Sequence, residues 1–269
     1  MGILKPACLA LLTMVAVLAG GQNRPPFENL SIDRPDVSNL PVTVRPGHYQ
    51  MEWGMEYDEN DFSSEWYLPN MLLRTGLGPK TELRLGTNFI RIDSSQTVET
   101  CRLTGLSVSV KHRLVEERGV RPSIAIQPEV NYLVSRTERV SLREWTYDII
   151  LLFNNTFHKQ VFLNYNLGFF WIGSTEKRVL ASVSLSFLHT HRLGYFLEGY
   201  TLRAGRERGN FSFDGGFTYL LSPRLQIDAY AGRRWAATSS YKFVGCGVGF
   251  RIDRDDMKPR TFREIGIHH

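Results

Sequence analysis

The stretch that decides the fold runs from His48 to Tyr57 and reads HYQMEWGMEY. Tyr49 and every second residue after it are apolar or aromatic, whereas the intervening residues are polar or glycine. Successive side chains of a β-strand point to opposite faces, so this stretch predicts a strand with one apolar face and one polar face.

Blocks of the same kind recur as far as Ile252, each about ten residues long, as in the strands of transmembrane barrels. Their number is about twelve, and single-chain bacterial barrels have an even number of strands. Longer connections and short turns alternate between the blocks, which places both ends of the region on the periplasmic side of an outer membrane. The predicted strands are 47–58, 65–77, 81–91, 102–114, 121–134, 145–155, 160–172, 179–188, 193–203, 210–221, 224–234 and 242–252.

This pattern predicts an all-β protein whose residues 47–252 form a transmembrane antiparallel β-barrel of about 12 strands. A β-sandwich also explains the alternation, but it explains less well why aromatic residues such as Trp66, Trp145 and Trp235 lie near predicted strand ends. One strand is irregular, because residues 149–153 are apolar on both parities. There, either the lumen face is partly apolar or the strand bounds differ from the prediction.

The flanking segments differ from the barrel region. Residues 1–21 combine Lys5 with a short apolar run and small residues near its end, which predicts a secretory signal peptide. Residues 22–46 are rich in proline and predict an extended lead-in that lies on the periplasmic side or in the barrel mouth. Residues 253–269 form a charged C-terminal tail.

The composition fits an exported barrel. Of the 269 residues, 42% are hydrophobic, and the mean hydropathy is only -0.22, because a barrel alternates lipid-facing with polar lumen-facing residues. The net charge is +5, but the basic residues are scattered, so nucleic acid is not a predicted partner. Cys101 and Cys246 follow no disulfide spacing pattern and are expected to be two unpaired thiols.

The lead-in contains the motif Asp33-Arg34-Pro35-Asp36, and PGHYQME follows at 46–52. This opening resembles the TDRPD opening of the outer-membrane family named for the meta-pathway of phenol degradation, with Ile32 in place of the usual threonine. The similarity covers most of the mature chain and is strongest over residues 31–132. It implies a twelve-stranded type of barrel that passes small molecules, aromatic or apolar ones among them.

The polar parity of the strands places charged side chains of both signs in the lumen. Such charges either line a water path or pair across strands and close it. The ion-pair interpretation joins Glu82, Arg84, Lys111 and Glu129, whereas the functional interpretation makes some of the charges a selectivity ring. The candidate lumen residues are Glu52, Arg74, Glu82, Arg84, Lys111, Glu129, Asp148, Glu198, Asp214 and Asp228.

Enzyme chemistry is not predicted. No histidine lies beside a serine with a third orienting group in a readable motif, and His189 with His191 lacks further metal ligands nearby in sequence. Glycine runs such as 245–249 lack the strand and helix context of a phosphate loop and instead predict relief of crowding where strands bend. No catalytic residue, metal or cofactor is therefore predicted.

The leading hypothesis is a passive transporter or pore for small molecules, located in the outer membrane of a Gram-negative-type bacterium. Its expected partners are outer-membrane lipid and a small-molecule solute. A narrow barrel lined by these charges favours a restricted or gated path over a wide porin. The alternatives are a closed structural or accessory barrel and, third, a barrel enzyme.

Overall fold

In a computed structural model, the described residues are 30–34, 37–60, 63–94, 97–98, 102–136, 141–158, 160–172, 176–205, 209–236 and 239–253. The predicted signal peptide 1–21, the start of the lead-in and most of the tail lie outside these ranges.

All regular elements of the described residues are β-strands. They are His48–Glu59 (β1), Ser63–Gly78 (β2), Thr81–Ser94 (β3), Thr97–Val98 (β4), Arg102–Val115 (β5), Ser123–Arg136 (β6), Ser141–His158 (β7), Val161–Ile172 (β8), Glu176–Leu188 (β9), Leu193–Ala204 (β10), Asn210–Ser222 (β11), Leu225–Trp235 (β12) and Ser240–Asp253 (β13). In this part of the chain, no helix has the length and apolar character needed to cross a bilayer.

Twelve of these strands close into one antiparallel barrel. Each pairs with its neighbours in sequence order, and β1 closes the ring by pairing with both β2 and β13. The short β4 pairs only with the tip of β3. His48 lies opposite Asp253, so the first and last strands begin and end at the same rim, called here the terminal rim. The predicted all-β, twelve-stranded antiparallel barrel is confirmed.

The two faces of the wall differ as the alternation predicts. Polar and charged side chains of the inward parity are buried, whereas outward side chains such as Val108, Tyr147 and Val244 are more than half exposed. A closed sheet has no free edge, so each of the twelve strands pairs its backbone groups with a neighbour on both sides.

Several strands are longer than predicted. The predicted connections 58–64 and 135–144 are mostly strand, and the pair Arg136 and Ser141 still belongs to the β6–β7 ladder. Hairpin ends carry polar residues on both parities, so their sequence does not distinguish strand from loop, although ladder hydrogen bonds continue into them.

The strand whose sequence is apolar on both parities is also longer than predicted. β7 covers Ser141–His158 and not only 145–155, and Leu152 is fully buried on its inward face beside Ala125 of β6. The interior is therefore partly apolar on this side of the wall.

Candidate functional site

The lead-in, described over residues 30–34 and 37–46, lies inside the barrel. Wall carboxylates from well-separated strands accept hydrogen bonds from its backbone N–H groups. These are Glu52 of β1 from Asp33 at 3.2 Å, Glu82 of β3 from Val44 at 2.6 Å, and Glu198 of β10 from Val37 and Ser38 at 2.7 Å each. The segment therefore contacts opposite sides of the wall and crosses the interior.

Neutral side chains add to this attachment. The Ser38 hydroxyl lies 2.8 Å from the Ser182 hydroxyl of β9. In the orientation that satisfies its amide, Asn166 of β8 accepts a hydrogen bond from the Asn39 N–H at 2.7 Å and donates one to the Asn39 carbonyl at 3.2 Å. Ser38 is about as buried as a core residue, at 1% exposure. Backbone groups that would otherwise be unsatisfied inside the barrel are paired with the wall.

Arg74 of β2 is the centre of a buried charge cluster. Its guanidinium contacts Glu82 through two nitrogen atoms, each at 3.0 Å, and contacts Glu52 at 2.9 Å. Arg84 lies 2.9 Å from the same Glu82 carboxylate. Arg74 and both glutamates are each 1% exposed or less, so this ion pairing occurs out of bulk water. Removing one partner would leave the opposite charge buried and uncompensated.

Asp33 adds a third carboxylate to this cluster, and it comes from the lead-in. Its carboxylate contacts Arg84, lies 2.7 Å from the Lys111 ammonium and lies 3.6 Å from Arg74. Burial raises the pKa of the Asp33 carboxyl, but the positive charges of Arg74, Lys111 and Arg84 outweigh this effect, so its pKa lies well below the ordinary value. Asp33 is therefore ionised at neutral pH and electrostatically binds the lead-in to the wall.

Arg34 occupies a slot in the wall that two glycines create. Its guanidinium lies 3.4 Å from Asp228 and donates to the Cys246 carbonyl at 3.3 Å. Gly54 and Gly247 are cross-strand partners on β1 and β13, and a Cβ at either position would overlap the Arg34 side chain. The slot exists because neither residue has a side chain.

The glycine run 245–249 therefore has a more specific role than the predicted relief of crowding at bends. Gly247 leaves room for Arg34, and a Cβ at Gly249 would contact Ile32 of the lead-in at 2.6 Å. Gly245 instead faces the ring of Tyr230. At two of the three positions, the missing side chain is replaced by the lead-in.

Replacing Gly54 by alanine is expected to displace Arg34 without weakening the wall. The three atoms nearest to an added Cβ all belong to the flexible Arg34 guanidinium, so the side chain can move away while the strand backbone stays in place. Hydrogen exchange of the Val37 and Ser38 amides should become faster, whereas the amides of β1 and β13 should exchange at the wild-type rate. Gly105→Ala is the matched control, because its nearest neighbour would be Leu133 at 3.5 Å; equal exchange in both variants would contradict the slot.

The remaining candidate residues lie on other parts of the inner wall. Glu129 and Asp148 are cross-strand partners, as are Glu198 and Asp214. Asp148 accepts a hydrogen bond from Asn131 at 2.6 Å, and Glu129 accepts a weak one from Gln127 at 3.4 Å. The predicted grouping is therefore wrong for Glu129: Glu82, Arg84 and Lys111 come together, but Glu129 lies with acidic Asp148 on β6 and β7.

The candidate cations and most of the candidate carboxylates lie on different parts of the wall, whereas Glu52 and Glu82 lie with the cations. Arg74, Arg84 and Lys111 lie on the consecutive strands β2, β3 and β5, whereas the acidic pairs and Asp228 lie on β6, β7 and β10 to β12. Of the lead-in motif, Asp33 and Arg34 contact the wall, while Pro35 and Asp36 lie outside the described residues. Sequence reasoning did not find the contacts of Asp33 and Arg34, because their partners are far away along the chain.

Two cavities flank the lead-in. One has a volume of about 520 Å³, lies toward the terminal rim and is lined by Leu30, Ile32, Leu40 and by wall residues such as Phe196. The other has a volume of about 300 Å³, and Asp33, Arg84 and Tyr230 are among its lining residues. Arg34 borders both cavities. Both volumes are of the size that small-molecule sites have.

Sequence comparison decides the family. The model of the family described as "Putative MetA-pathway of phenol degradation" matches residues 32–252. The chain belongs to this family. The matched region begins in the lead-in and therefore contains Asp33 and Arg34 together with the barrel wall. No protein in the curated set matches the chain.

The fold of this chain is similar to that of two solved outer-membrane barrels. An outer membrane channel from Pseudomonas putida F1 is 13% identical, with a TM-score of 0.54 over 82% of this chain and 100% of that chain. The NanC porin is 7% identical, with a TM-score of 0.55 over 75% of this chain and 100% of that chain. At these identities the likeness concerns the fold.

The charge cluster of this family member does not include His48, His189, His191 or Cys246. His189 and His191 lie in the turn between β9 and β10, and His48 lies 3.3 Å from Asp253 at the terminal rim. Within the described residues, no three His, Cys, Asp or Glu side chains are grouped to hold a metal ion. Cys246 is exposed on the outward face of β13, whereas Cys101 lies outside the described residues, so their expected unpaired state stays a prediction.

Proposed function

We propose that the protein is a passive pore for small molecules in the outer membrane of a Gram-negative-type bacterium. The signal peptide 1–21 directs its export. The observation that carries this proposal is a closed barrel with two interior cavities on either side of the lead-in. Hydrogen bonds, ion pairs and side-chain packing, as of Ile32 against Gly249, attach the described lead-in to the wall. Such contacts can exchange, so the path can open without any change in the barrel itself.

The lead-in makes this a restricted path. In the described state it separates the two cavities, and a solute crosses only when the segment moves aside. The ten candidate charges then line the path. Three cations with Glu52 and Glu82 lie on β1, β2, β3 and β5, and they face the acidic residues of β6, β7 and β10 to β12. A transverse field of this kind orients polar solutes and discriminates between charged ones. No cofactor and no energy source is part of the proposal.

A closed structural barrel is the second candidate, and the buried charge cluster favours it. Glu52 and Glu82 are both paired with Arg74, and the Asp33 carboxylate joins the same cluster. A core held by such pairs stabilises a barrel without conducting anything. The acidic pair Glu129 and Asp148 argues for a path, because neighbouring like charges do not stabilise a closed core.

Liposome swelling separates the two candidates. Proteoliposomes containing the refolded full chain should swell with small sugars and amino acids, and the rate should fall steeply with solute size because the path is narrow. Liposomes prepared without protein are the control. If solutes of every size fail to enter, the pore proposal is wrong and the closed barrel is favoured.

A further inference from the structure

The carboxylate of Asp33 occupies a site that the barrel wall builds for an anion. One of its oxygens, Oδ2, accepts hydrogen bonds from the Lys111 ammonium, at 2.7 Å, and from the Arg84 guanidinium. The Arg74 guanidinium lies 3.6 Å from the same oxygen. The Leu40 N–H donates to the other oxygen, Oδ1, at 3.4 Å. All three cations come from wall strands, whereas the anion comes from the lead-in, which is covalently joined to the wall where the chain enters β1.

Wall carboxylates contact all three cations, although Lys111 lies 3.8 Å from Glu82 and closer to Asp33 and to the Leu40 carbonyl of the lead-in. Arg74 is fixed between Glu52 at 2.9 Å and Glu82 at 3.0 Å, and Arg84 lies 2.9 Å from Glu82. Three positive charges minus two negative charges leave a formal charge of +1 when Asp33 is absent. A buried site with one uncompensated positive charge is costly unless an anion neutralises it.

The site also has room for a ligand body. Asp33, Arg84 and Glu52 border the cavity of about 300 Å³, so a molecule whose acidic group replaces Asp33 can extend into this space. The remaining lining is mixed: it includes the apolar Met71, Leu72 and Phe243, the polar Asn70 and Asn88, and the acidic Glu56 and Asp214. This fits a small molecule with one charged group and a compact, partly apolar body.

We propose that Arg74, Arg84 and Lys111 form a binding site for the carboxylate of a small permeating molecule, and that Asp33 is a built-in competitor for it. This proposal rests on the proposed pore function, because the ligand must enter the barrel. A carboxylate that replaces Asp33 removes one attachment of the lead-in and so favours its own passage.

Hydrogen exchange on the wild-type protein tests the competition with benzoate as the probe. Benzoate should accelerate exchange in the peptide that covers residues 37–46, because the Leu40 N–H loses its Asp33 acceptor and the lead-in loses one attachment to the wall. Benzyl alcohol, of similar size but uncharged, should have no effect. Equal effects of the two compounds, or no effect of either, would overturn the proposal. No transport is measured, so a failed pore and a failed site give different results.

Calorimetry on full-length Asp33→Asn identifies the site itself. This variant should bind benzoate about tenfold more tightly than wild type, the order expected when one charge-assisted contact no longer has to be displaced. The added substitution Lys111→Gln should abolish the gain. Asp228→Asn is the matched control, because it releases Arg34 and leaves the three-cation site occupied by Asp33.

Three results would overturn the assignment. The first is an equal gain in Asp228→Asn, because general loosening of the lead-in would then explain the binding. The second is inorganic phosphate binding Asp33→Asn as tightly as benzoate, because the site would then accept any anion. The third is unchanged benzoate affinity in folded Asp33→Asn.

Discussion

Arg74→Met is expected to destabilise the barrel by about 3–5 kcal/mol, the cost of removing one partner from a buried ion pair. Arg74 is 0% exposed and is the only described side chain that bridges Glu52 and Glu82 directly. Methionine fills a similar volume, so the loss reports the two carboxylates that remain buried without this cation. The midpoint and slope of urea unfolding, followed by fluorescence in detergent or lipid, give the value.

Arg178→Met is the control for this prediction. Arg178 pairs with Glu176 near the end of β9, where both side chains are more than one-third exposed. Exposed ion pairs contribute about 0–1 kcal/mol, so this variant should be near wild type. Similar losses of unfolding free energy in the two variants would show that the central cluster does not stabilise the fold.

The barrel could be predicted from the sequence because its signal is local and repeated. In stretches such as His48 to Tyr57, the period of two assigns every side chain to one face, and the inward burial of Glu52, Arg74 and Glu82 follows that assignment. Several strands were predicted too short, because ladder hydrogen bonds continue into stretches where polar residues on both parities interrupt the alternation. Parity also cannot show which inward charges meet, and Glu129 was grouped with the wrong partners for that reason.

The contacts of the lead-in could not be predicted from any local pattern. Asp33 meets Lys111 across 78 positions of sequence, and Arg34 meets Asp228 across 194. Closure of the barrel brings these residues together, and register decides which ones. The proline content predicts an extended segment but not its position. The wall glycines Gly54 and Gly247 determine where the Arg34 side chain of that segment lies. Their pairing across β1 and β13 depends on the last strand meeting the first.

The central claim is that solutes pass only when the lead-in moves away from the wall. A disulfide between residues 38 and 182 would prevent this movement, since the Ser38 and Ser182 hydroxyls lie 2.8 Å apart. We expect Ser38→Cys with Ser182→Cys, in a Cys101→Ser and Cys246→Ser background, to form the bridge under oxidising conditions. The single mutant Ser38→Cys in the same background controls for the oxidant and the reductant.

Single-channel current through this variant in a planar bilayer is the most direct measurement. We predict a low, steady conductance in the oxidised protein and a severalfold rise with open-state fluctuations after a thiol reductant is added, with no such change in the single mutant. The same conductance before and after reduction of a verified disulfide would mean that solutes pass without movement of the lead-in, and would contradict the claim.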